Sequence, residues 1–505
     1  MKKTVCLLLC IVMIAGAIIL PAAAAEPAKS PLTLDDLKGE TFGVITGMAT
    51  DMVYEEYMPE SQLSYFNTTA DTINAVKSGQ IAGFLIDEPM AKYIVAQTDG
   101  LGYIDEIVGG SFDTAFFVGR TDLDRKLLGE LNEFILKLKS DGTMDEIFDL
   151  WYGTDEEKQR LVIPTEGVNG TVRVATYGQS APIVMYKDGE LCGVETDILC
   201  RFANEYGYAL EFDDMDFGAI INAVNSGRCN IGSGFFYMTE ERKQSVTFTE
   251  PYSKAGFVMV VAEGDTQEEG FLDGLKESIR KTFIKEDRWK LIVEGIETTL
   301  IISVCAAVLG TVLGFGLCLL RRMKNKFVHA LTTVYIRILQ GTPLLVLLMI
   351  LYYIVFAKSG TSGMFVAVIA FAMNFAAYTC EMFRTGIDGV DIGQTEAAYA
   401  IGFTKAQTFF RIVLPQAALR FLPVYKGEFI SLVKMTSVVG YVAVQDLTKM
   451  SDIIRSRTYE AFFPLIATAI IYFLLTALLT GLLKIVEVRV EPNRENRKVK
   501  GVKLP

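Results

Sequence analysis

Arg242 is the side chain in the first half of the sequence best suited to hold an anionic ligand. Its planar guanidinium can hold a carboxylate through two hydrogen bonds, which a lysine does less specifically. Asp87 is a second candidate, because it directly follows an apolar run from Ile81 to Ile86 that predicts a buried strand. Open α/β sheets bind ligands at the carboxyl ends of their strands. A surface ion pair is the alternative role for a lone arginine.

A polar segment in the second half of the sequence, residues 396–415, lies between hydrophobic runs and is called the docking segment below. Its pattern predicts two helical runs joined by a turn, and a glycine at the turn lets a partner approach the backbone closely. An ordinary amphipathic loop is the alternative interpretation. The residues that define the segment are Glu396, Ala397, Ala398, Gly402, Leu414 and Pro415, of which the last two mark the expected end of the second run.

The length and composition indicate a membrane protein with several domains. A chain of 505 residues is too long for a single typical domain. Its hydrophobic fraction of 51% and mean hydropathy of +0.32 exceed those of a typical soluble protein. The net charge is -12, and the sequence contains no basic groove pattern with interleaved aromatic residues, so no nucleic-acid partner is expected.

Residues 1–25 have the pattern of a secretory signal peptide. Lys2 and Lys3 precede an apolar run from Val5 to Leu20, and small residues follow at the expected cleavage site. An uncleaved membrane anchor is the alternative, because the apolar run is long. Residues 26–36 are assigned to a linker that follows the signal peptide.

The sequence lacks the residue spacing of a metal centre or a nucleotide pocket. Outside the signal segment and the hydrophobic runs, the cysteines are Cys192, Cys200 and Cys229, an odd set without metal-ligand spacing. His329 is the only histidine, so a catalytic histidine arrangement is excluded. The phosphate-binding pattern G-x-x-x-x-G-K-[ST] is also absent, so no cofactor is expected and nucleotide hydrolysis would take place on another subunit.

Two stretches alternate short apolar strands with helical patterns, which indicates an α/β architecture with parallel sheets. The first stretch covers residues 37–153 and the second covers residues 171–262, with a linker at 154–170. Apolar runs from Phe42 to Ile45 and from Val172 to Thr176 predict the first strand of each stretch. Each strand is followed by turn residues and then by a helical pattern.

Both stretches resemble the polar amino-acid-binding proteins of ABC importers over nearly all of residues 37–262. The second lobe of that family is similar to LKGETFGVITGMAT and GQIAGFLIDEP, and its return into the first lobe is similar to GSFDTAFFVGR and SDGTMDEIFDLWYG. The opening of the first lobe resembles TVRVATYGQSAP and TEERKQSVTFTEPYSKAGFVMVV. The resemblance implies one two-lobed, type II periplasmic-binding-protein-like domain that is circularly permuted, which neighbouring chain termini at the surface allow.

The same resemblance implies an amino-acid pocket. Arg242 would hold the α-carboxylate of the ligand and Asp87 its α-ammonium, so a zwitterion would join the two lobes and favour the closed state. Phe217 would stack on the ligand side chain, with core packing as its alternative role. The other implied contacts, which offer backbone N–H groups and a hydroxyl to a carboxylate, are Thr46, Gly47 and Gly234.

Several positions depart from the pattern of the binding-protein family. Tyr237 stands where a serine or threonine is usual, and Phe235 stands where a small residue is usual. Ser180 replaces the usual aromatic residue, and Tyr177 is the candidate to provide the missing wall. We therefore expect a pocket narrowed on one side and opened on the other, whose amino acid cannot be inferred from the family. Core packing is the alternative role for Phe235 and Tyr237.

Residues 290–490 contain five apolar runs, each with about the 20 residues needed to cross a bilayer. A connector at 263–289 precedes them, and a basic tail at 491–505 follows them. Basic residues after the first and last runs favour the cytoplasm, which places residues 26–290 outside and the docking segment inside. Lys449 and two nearby arginines would then lie outside, against this tendency. The predicted spans are 291–320, 333–357, 363–383, 428–447 and 461–484.

The docking segment resembles the EAA loop of ABC importer permeases, with its E-A-A, its glycine and its closing Leu-Pro. Nearby motifs resemble the polar amino-acid branch of those permeases, namely QGTPLLV from Gln340, EMFR from Glu381 and EFISLVK from Glu428. In that family the loop is a coupling helix that docks in a groove of the ATPase subunit. The resemblance therefore implies an ABC ATPase partner that binds ATP, and a second permease copy, identical or related.

Together these patterns predict an importer subunit of the bacterial plasma membrane, in which an extracytoplasmic receptor is fused to an all-α permease that translocates a polar amino acid. A ligand-gated ion channel is the alternative, because glutamate receptors also join such a domain to membrane helices. A channel requires a selectivity filter, for which the sequence has no pattern. An enzyme on the binding-protein fold would require an acid–base pair, whereas Arg242 and Asp87 suit binding.

Overall fold

The computed structural model describes residues 33–48, 50–153, 159, 167–187, 189–263, 271–357, 359–460 and 462–490. The predicted signal peptide at 1–25 and the basic tail at 491–505 lie outside the described residues. Most of the linkers at 26–36 and 154–170 and the beginning of the connector at 263–289 also lie outside them.

The chain divides into two units, each made of two chain segments. The first unit consists of Met1–Thr114 with Ser253–Gly274, and the second of Ala115–Tyr252 with Leu275–Pro505. The second unit therefore contains both a β-sheet and the apolar membrane helices. The strands are, in chain order, β1 (Thr41–Ile45), β2 (Gln62–Phe66), β3 (Gly83–Asp87), β4 (Leu101–Thr114), β5 (Phe117–Val118), β6 (Thr171–Thr176), β7 (Gln179–Ser180), β8 (Val184–Lys187), β9 (Glu190–Cys192), β10 (Ala209–Asp214), β11 (Ile231–Gly232), β12 (Thr247–Phe248) and β13 (Ser253–Ala262).

Polar residues cap the helices of the α/β half. Thr121 and Asp124 form a reciprocal capping box, in which each side chain accepts the backbone N–H of the other residue. Thr68 accepts the N–H of Asp71 at 3.1 Å and so begins another helix. The helices of this half are α1 (Thr50–Tyr57), α2 (Thr69–Lys77), α3 (Glu88–Gln97), α4 (Asp122–Ser140), α5 (Thr143–Tyr152), α6 (Val194–Tyr206), α7 (Ile220–Asn225), α8 (Glu240–Ser245) and α9 (Phe271–Ile279).

The first unit is built on a sheet with the strand order β2-β1-β3-β13-β4. β1 pairs in parallel with β2 and β3, so the strands predicted at Phe42 and before Asp87 are present and adjacent. The sequence assigns β13 to the first lobe together with the rest of residues 171–262, whereas the structure places it in the sheet of the first unit. β13 lies antiparallel between β3 and β4. Its apolar residues from Ala255 to Val261 are buried, so the strand requires a neighbour along each edge.

The second unit contains a sheet with the strand order β10-β6-β11-β5-β12. β6 pairs in parallel with β10 and β11, whereas β5 pairs antiparallel with β11 and β12. β5 comes from the segment that was expected to return into the first lobe. Trp151 of α5 is buried and donates to Asp197 of α6 at 3.0 Å, which joins the helix after this return to the lobe. We call this α/β part of the second unit the first lobe.

Long apolar runs form the helices of the membrane half, whose first helix begins at Trp289, an aromatic residue of a type enriched at membrane interfaces. A π-turn at Arg280–Ile284 and a short 3-10 turn at Lys285–Asp287 lead into it. The helices are α10 (Trp289–Arg321), α11 (Lys326–Gly341), α12 (Leu344–Ile350), α13 (Gly363–Asp388), α14 (Ile392–Ala400), α15 (Lys405–Thr408), α16 (Leu414–Met435), α17 (Leu447–Thr458) and α18 (Phe462–Val490).

In the part of the chain that the structure describes, three helices are long and apolar enough to cross a membrane, and they match the first, third and fifth predicted spans: α10, α13 and α18. The other two predicted spans are not single straight helices. The second is bent by 109° between α11 and the helix that starts at Leu344. Pro343 lies at this break, where a proline has no N–H to continue the helix. The fourth is replaced by a chain that bends by 56° before α17.

Small residues let α10 and α13 pack closely. A Cβ atom added to Gly310 would lie 2.8 Å from the carbonyl oxygen of Ala372, and one added to Gly314 would lie 2.8 Å from that of Ala376. Such glycine spacing brings helix backbones together in membranes, where close packing drives association. A side chain at either glycine would force the two backbones apart.

We therefore expect Gly314→Leu to destabilise the membrane half by about 1–3 kcal/mol, the usual cost of overpacking a close contact. The measurement is thermal unfolding of the full chain in detergent micelles. Gly316→Leu is the matched control, because a Cβ atom at Gly316 meets nothing within 4 Å. Equal unfolding temperatures for the two variants would contradict this account of the helix contact.

Candidate functional site

Asp87 ends β3 and directly precedes α3, at the carboxyl edge of the first sheet. The residue is only 3% exposed, and its Oδ1 atom has no hydrogen-bond partner among the residues that the structure describes. Burial raises the pKa of this carboxyl well above its usual range. A cationic group that approached Asp87 would stabilise the ionised carboxylate and would gain a buried partner.

Thr46 and Gly47 follow β1, which lies beside β3, so they share the sheet edge with Asp87. Gly47 has a φ of +90°, a left-handed conformation that favours glycine. Thr46 uses its donors within the unit, because its N–H and its hydroxyl both donate to the carbonyl of Phe66, at 2.8 and 3.0 Å. The hydroxyl proton was expected to face a ligand carboxylate, and in this structure it is committed to Phe66.

Arg242 lies in the second unit against two stacked aromatic rings. The rings of Phe217 and Phe236 have centroids 4.4 Å apart and an interplanar angle of 9°. The guanidinium carbon of Arg242 is 5.0 Å from the ring centre of Phe236 and 6.0 Å from that of Phe217, which are cation–π distances. Its Nη1 donates to the carbonyl of Tyr237 at 3.3 Å. Tyr177 packs edge-on against Phe217 at 5.8 Å, and we call Tyr177, Phe217 and Phe236 the aromatic wall.

Glu195, which the sequence reasoning missed, holds the backbone beside this wall. Its buried carboxylate accepts the N–H groups of Gly234 and Phe235 at 2.6 and 2.9 Å, and the hydroxyls of Ser233 and Tyr252. The Gly234 N–H, which was expected to bind a ligand carboxylate, is therefore occupied by Glu195. Burial raises the pKa of Glu195, although its four hydrogen bonds act in the opposite direction.

The position where the binding-protein family has a small residue is conformationally unusual. Phe235 has a φ of +60°, the left-handed region in which a bulky side chain is strained. Its ring packs edge-on against Tyr237 at 6.1 Å and near Tyr252 at 6.3 Å. Phe235 and Tyr237 are both buried, so in this structure they pack in the core of the lobe. The acidic first turn of α6 is the sequence feature that could have drawn attention to Glu195, although it does not reveal which backbone N–H groups donate to its carboxylate.

The predicted ligand contacts thus fall into two groups, one in each unit. The group in the first unit offers a buried carboxyl, and the group in the second unit offers a guanidinium on an aromatic surface. A buried carboxyl suits an ammonium, and a guanidinium suits a carboxylate. The aromatic surface suits an apolar or planar side chain. Within the described parts of the chain, no group of three or more His, Cys, Asp and Glu side chains is arranged to hold a metal ion. The two groups are Asp87, Thr46 and Gly47, and Arg242, Phe217, Tyr177, Gly234, Phe235 and Tyr237.

The docking segment forms two short helices joined by a turn, as the sequence predicted. Glu396, Ala397 and Ala398 lie in α14, and Gly402 follows that helix with a φ of +88°. This left-handed conformation explains why a glycine stands at the turn. Thr404 then begins α15 with a capping box that fixes the start of the second helix.

The second helical run does not end at Leu414 and Pro415, which corrects the sequence-based boundary. α15 continues through a π-turn at Phe409–Val413 into α16, which begins at Leu414 and has Pro415 in its first turn. A proline is tolerated there, because the first N–H groups of a helix need no intrahelical acceptor. The Leu-Pro pair therefore marks the start of a long helix.

Apolar side chains of the docking segment are exposed. Ile401 is 72% exposed and Phe410 is 60% exposed, whereas Ala398 is buried. Exposed apolar residues that lie together at a protein surface are typical of protein-docking sites. The turn at Gly402 is open to its surroundings, since a Cβ atom added there would meet nothing within 4 Å.

The first lobe and the docking segment lie at opposite ends of α13. Arg173 and Arg228 of the lobe donate to the carbonyl groups of Gly360 and Thr361, which directly precede α13. α14 of the docking segment follows shortly after α13 ends at Asp388. The 26 residues of α13 make it about 39 Å long, which is close to the thickness of a bilayer.

Comparison with known proteins identifies the membrane half. The family described as binding-protein-dependent transport system inner membrane component matches residues 306–492. A Rickettsia typhi protein named as a glutamine transport system permease is 36% identical over 200 residues, which are 39% of this chain and 91% of that protein. The L-cystine transport system permease protein TcyB of Bacillus subtilis is 33% identical over 210 residues, which are 41% of this chain and 90% of that protein.

A solved structure described as an amino acid ABC transporter with histidines is 33% identical and has a TM-score of 0.38. It covers 44% of this chain and 100% of its own. The resemblance of residues 290–490 to importer permeases is confirmed by the curated relatives, which are matched over nine-tenths of their length. The chain therefore belongs to the family of binding-protein-dependent transport system inner membrane components.

Proposed function

We propose that this chain is an importer subunit that captures a polar amino acid outside the cell and translocates it through its own membrane half, driven by a separate ATPase. The observation that carries the proposal is the placement of the first lobe and the docking segment at opposite ends of α13. An importer driven by a separate motor requires a receptor at one face of the membrane and a motor-binding surface at the other. A ligand-gated channel has no use for the docking segment.

The chemistry of the two groups of pocket residues supports an amino-acid ligand. Arg242 is assigned to the α-carboxylate, and Asp87, whose buried carboxyl lacks a described partner at Oδ1, is assigned to the α-ammonium. The aromatic wall is assigned to the ligand side chain. Relatives of the membrane half are named for glutamine and L-cystine transport, which supports a polar amino acid as the substrate class. In this proposal residues 37–153 and 171–262 form one permuted binding domain.

The distribution of charge supports an extracytoplasmic α/β half. Arg321 and Arg322, at the end of α10, pair with acidic residues of α13 near the docking segment, where cytoplasmic cations are expected. In this topology Lys449, Arg455 and Arg457 lie at the extracytoplasmic end, where cations are not favoured. Each of them is paired with a carboxylate, which offsets its charge. These pairs are Lys449 with Asp214 and Asp216, Arg455 with Asp452, and Arg457 with Glu286.

The partners follow from the docking segment and from the family. The exposed apolar surface around Ile401 and Phe410 is assigned to an ABC ATPase subunit, which binds and hydrolyses the ATP. A second permease copy, identical or related, completes the pore. We place the assembly in the bacterial plasma membrane, with the docking segment in the cytoplasm.

We expect Arg242→Ala to weaken amino-acid binding by about 10- to 100-fold, because a charge-assisted hydrogen bond to the ligand carboxylate is lost. The measurement is a thermal-shift screen of the full chain in detergent against the common amino acids and L-cystine, followed by calorimetric titration of the amino acid that gives the largest shift. Arg125→Ala is the control, because Arg125 forms an exposed ion pair with Asp122 and lies outside both groups of predicted ligand contacts. Unchanged affinity in Arg242→Ala would remove the assigned pocket, and a wild-type chain that binds no amino acid would refute the proposed function.

We expect Gly402→Trp to leave amino-acid binding intact and to reduce uptake by about tenfold or more, because the bulky side chain separates the docking segment from the ATPase. The measurement is uptake of the bound amino acid by proteoliposomes that contain the chain and its ATPase subunit. Gly79→Trp is the matched control, because Gly79 also has a positive φ, of +68°, and a Cβ atom there also meets nothing within 4 Å. Normal uptake in Gly402→Trp would exclude the docking segment as the coupling surface.

A further inference from the structure

The first lobe contacts the membrane half through a buried lysine. Lys449 of α17 is 3% exposed, and its ammonium lies 3.7 Å from Oδ2 of Asp214 and 3.6 Å from Oδ1 of Asp216. Asp452 on the same helix adds a further attractive charge. A buried ammonium is strongly disfavoured unless carboxylates face it, so these two aspartates determine how the lobe is oriented on α17.

A second polar contact and an apolar cluster surround this ion pair. Gln445, which precedes α17, donates to the hydroxyl of Tyr186 at 2.6 Å, and that hydroxyl donates to Oδ2 of Asp214 at 3.1 Å. The ring of Tyr186 is buried in a cluster with Met450 and Ile453 of α17. The carboxylate of Asp214 therefore accepts a hydrogen bond from Tyr186 of the lobe and forms an ion pair with Lys449 of the membrane half.

The two aspartates belong to the loop that positions the aromatic wall. Oδ1 of Asp214 accepts the N–H of Gly178, the residue after Tyr177, at 2.9 Å. Asp216 directly precedes Phe217 and stands at the N-cap position of the short 3-10 helix at Phe217–Ala219, with no side-chain hydrogen bond to that helix. The two carboxylates that pair with Lys449 are thus linked to two members of the wall. Asp216 is joined to Phe217 through the chain, and Asp214 is linked to Tyr177 through its hydrogen bond with Gly178.

A tyrosine of the membrane half contacts the middle of the same loop. The hydroxyl of Tyr353 lies 3.9 Å from the sulfur of Met215 and donates to the carbonyl of Tyr441 at 2.8 Å. Met215 is itself fixed by its N–H, which donates to Thr176 at 3.0 Å. The loop from Asp214 to Phe217 is therefore held on one side by the lobe and on the other by the membrane half.

We propose that Lys449 is a positioning residue through which occupancy of the amino-acid pocket is communicated to the membrane half. This inference rests on the proposed function. A ligand that packs against Phe217 favours one arrangement of the loop from Asp214 to Phe217, and the two carboxylates of that loop carry the preference to α17. Coupling of this kind requires a contiguous set of contacts that differ in energy between two arrangements, and the ion pairs of Lys449 supply them.

The test uses the full chain with its ATPase subunit in proteoliposomes, and compares wild type with Lys449→Met and Lys449→Arg. The probe is an equimolar mixture of the common amino acids and L-cystine. In Lys449→Met we expect the stimulation of ATP hydrolysis by the mixture to fall by about tenfold. We expect binding of the mixture and basal ATP hydrolysis to stay within about twofold of wild type. Lys449→Arg retains the cation, so it should restore most of the stimulation.

Two further variants separate communication from general stability. Asp216→Asn should reduce the stimulation, and the double variant Lys449→Met with Asp216→Asn should lose no more than Lys449→Met alone, because the two residues act as a pair. Lys290→Met is the control, because Lys290 lies at the same end of the membrane half, where it forms an exposed pair with Asp287 and a cation–π contact with Trp289. It should behave as wild type.

The outcomes distinguish this inference from the proposed function. A wild-type complex that responds to the mixture, together with Lys449→Met that responds equally, overturns the role of Lys449 and leaves the importer proposal in place. Additive losses in the double variant, or a loss of basal hydrolysis in step with the stimulation, also overturn it. A wild-type complex that neither binds nor responds to the mixture refutes the importer proposal itself, and this inference with it.

Discussion

Close packing between α10 and α13 is the interaction on which the rest of the structure depends. Gly310 and Gly314 allow the backbones to approach to a distance at which any side chain would collide with the carbonyl groups of α13. α13 begins beside the first lobe and ends near the docking segment, so this pair of helices sets the separation between the two functional surfaces. Movement of one helix along the other would therefore change both surfaces together.

α17 collects the charged contacts at the lobe end of this helix pair. Lys449 near its start holds the lobe, and Arg457 near its end pairs with Glu286 of the connector at 2.6 Å. Glu286 has a φ of +55°, so the connector turns sharply there, and its carboxylate also pairs with the buried Arg288. The first lobe and the connector that leads into α10 therefore both form ion pairs with α17. The cations at this end, Lys449, Arg455 and Arg457, each have a carboxylate partner, which offsets the cost of their burial.

Local patterns predicted much of this molecule, since they depend on neighbouring residues. The apolar run before Asp87 and the glycine turn at Gly402 are present where the sequence indicated them. Contacts between distant segments could not be predicted in this way. The assignment of β13 to the first sheet depends on its two strand neighbours, and the occupation of the Gly234 N–H depends on Glu195, which is distant in sequence.

The α/β half and the permease half belong to one chain, which explains why a contact such as that of Lys449 need not be strong. A tethered domain has an effective concentration on the order of millimolar, so its encounter with the membrane half requires little intrinsic affinity. A buried ammonium between two carboxylates is suited to this situation, because desolvation removes much of its net contribution to affinity, whereas its geometry is demanding. The contact therefore contributes orientation. The loop from Asp214 to Phe217 contacts both the aromatic wall and α17, so the orientation of this loop affects both of them.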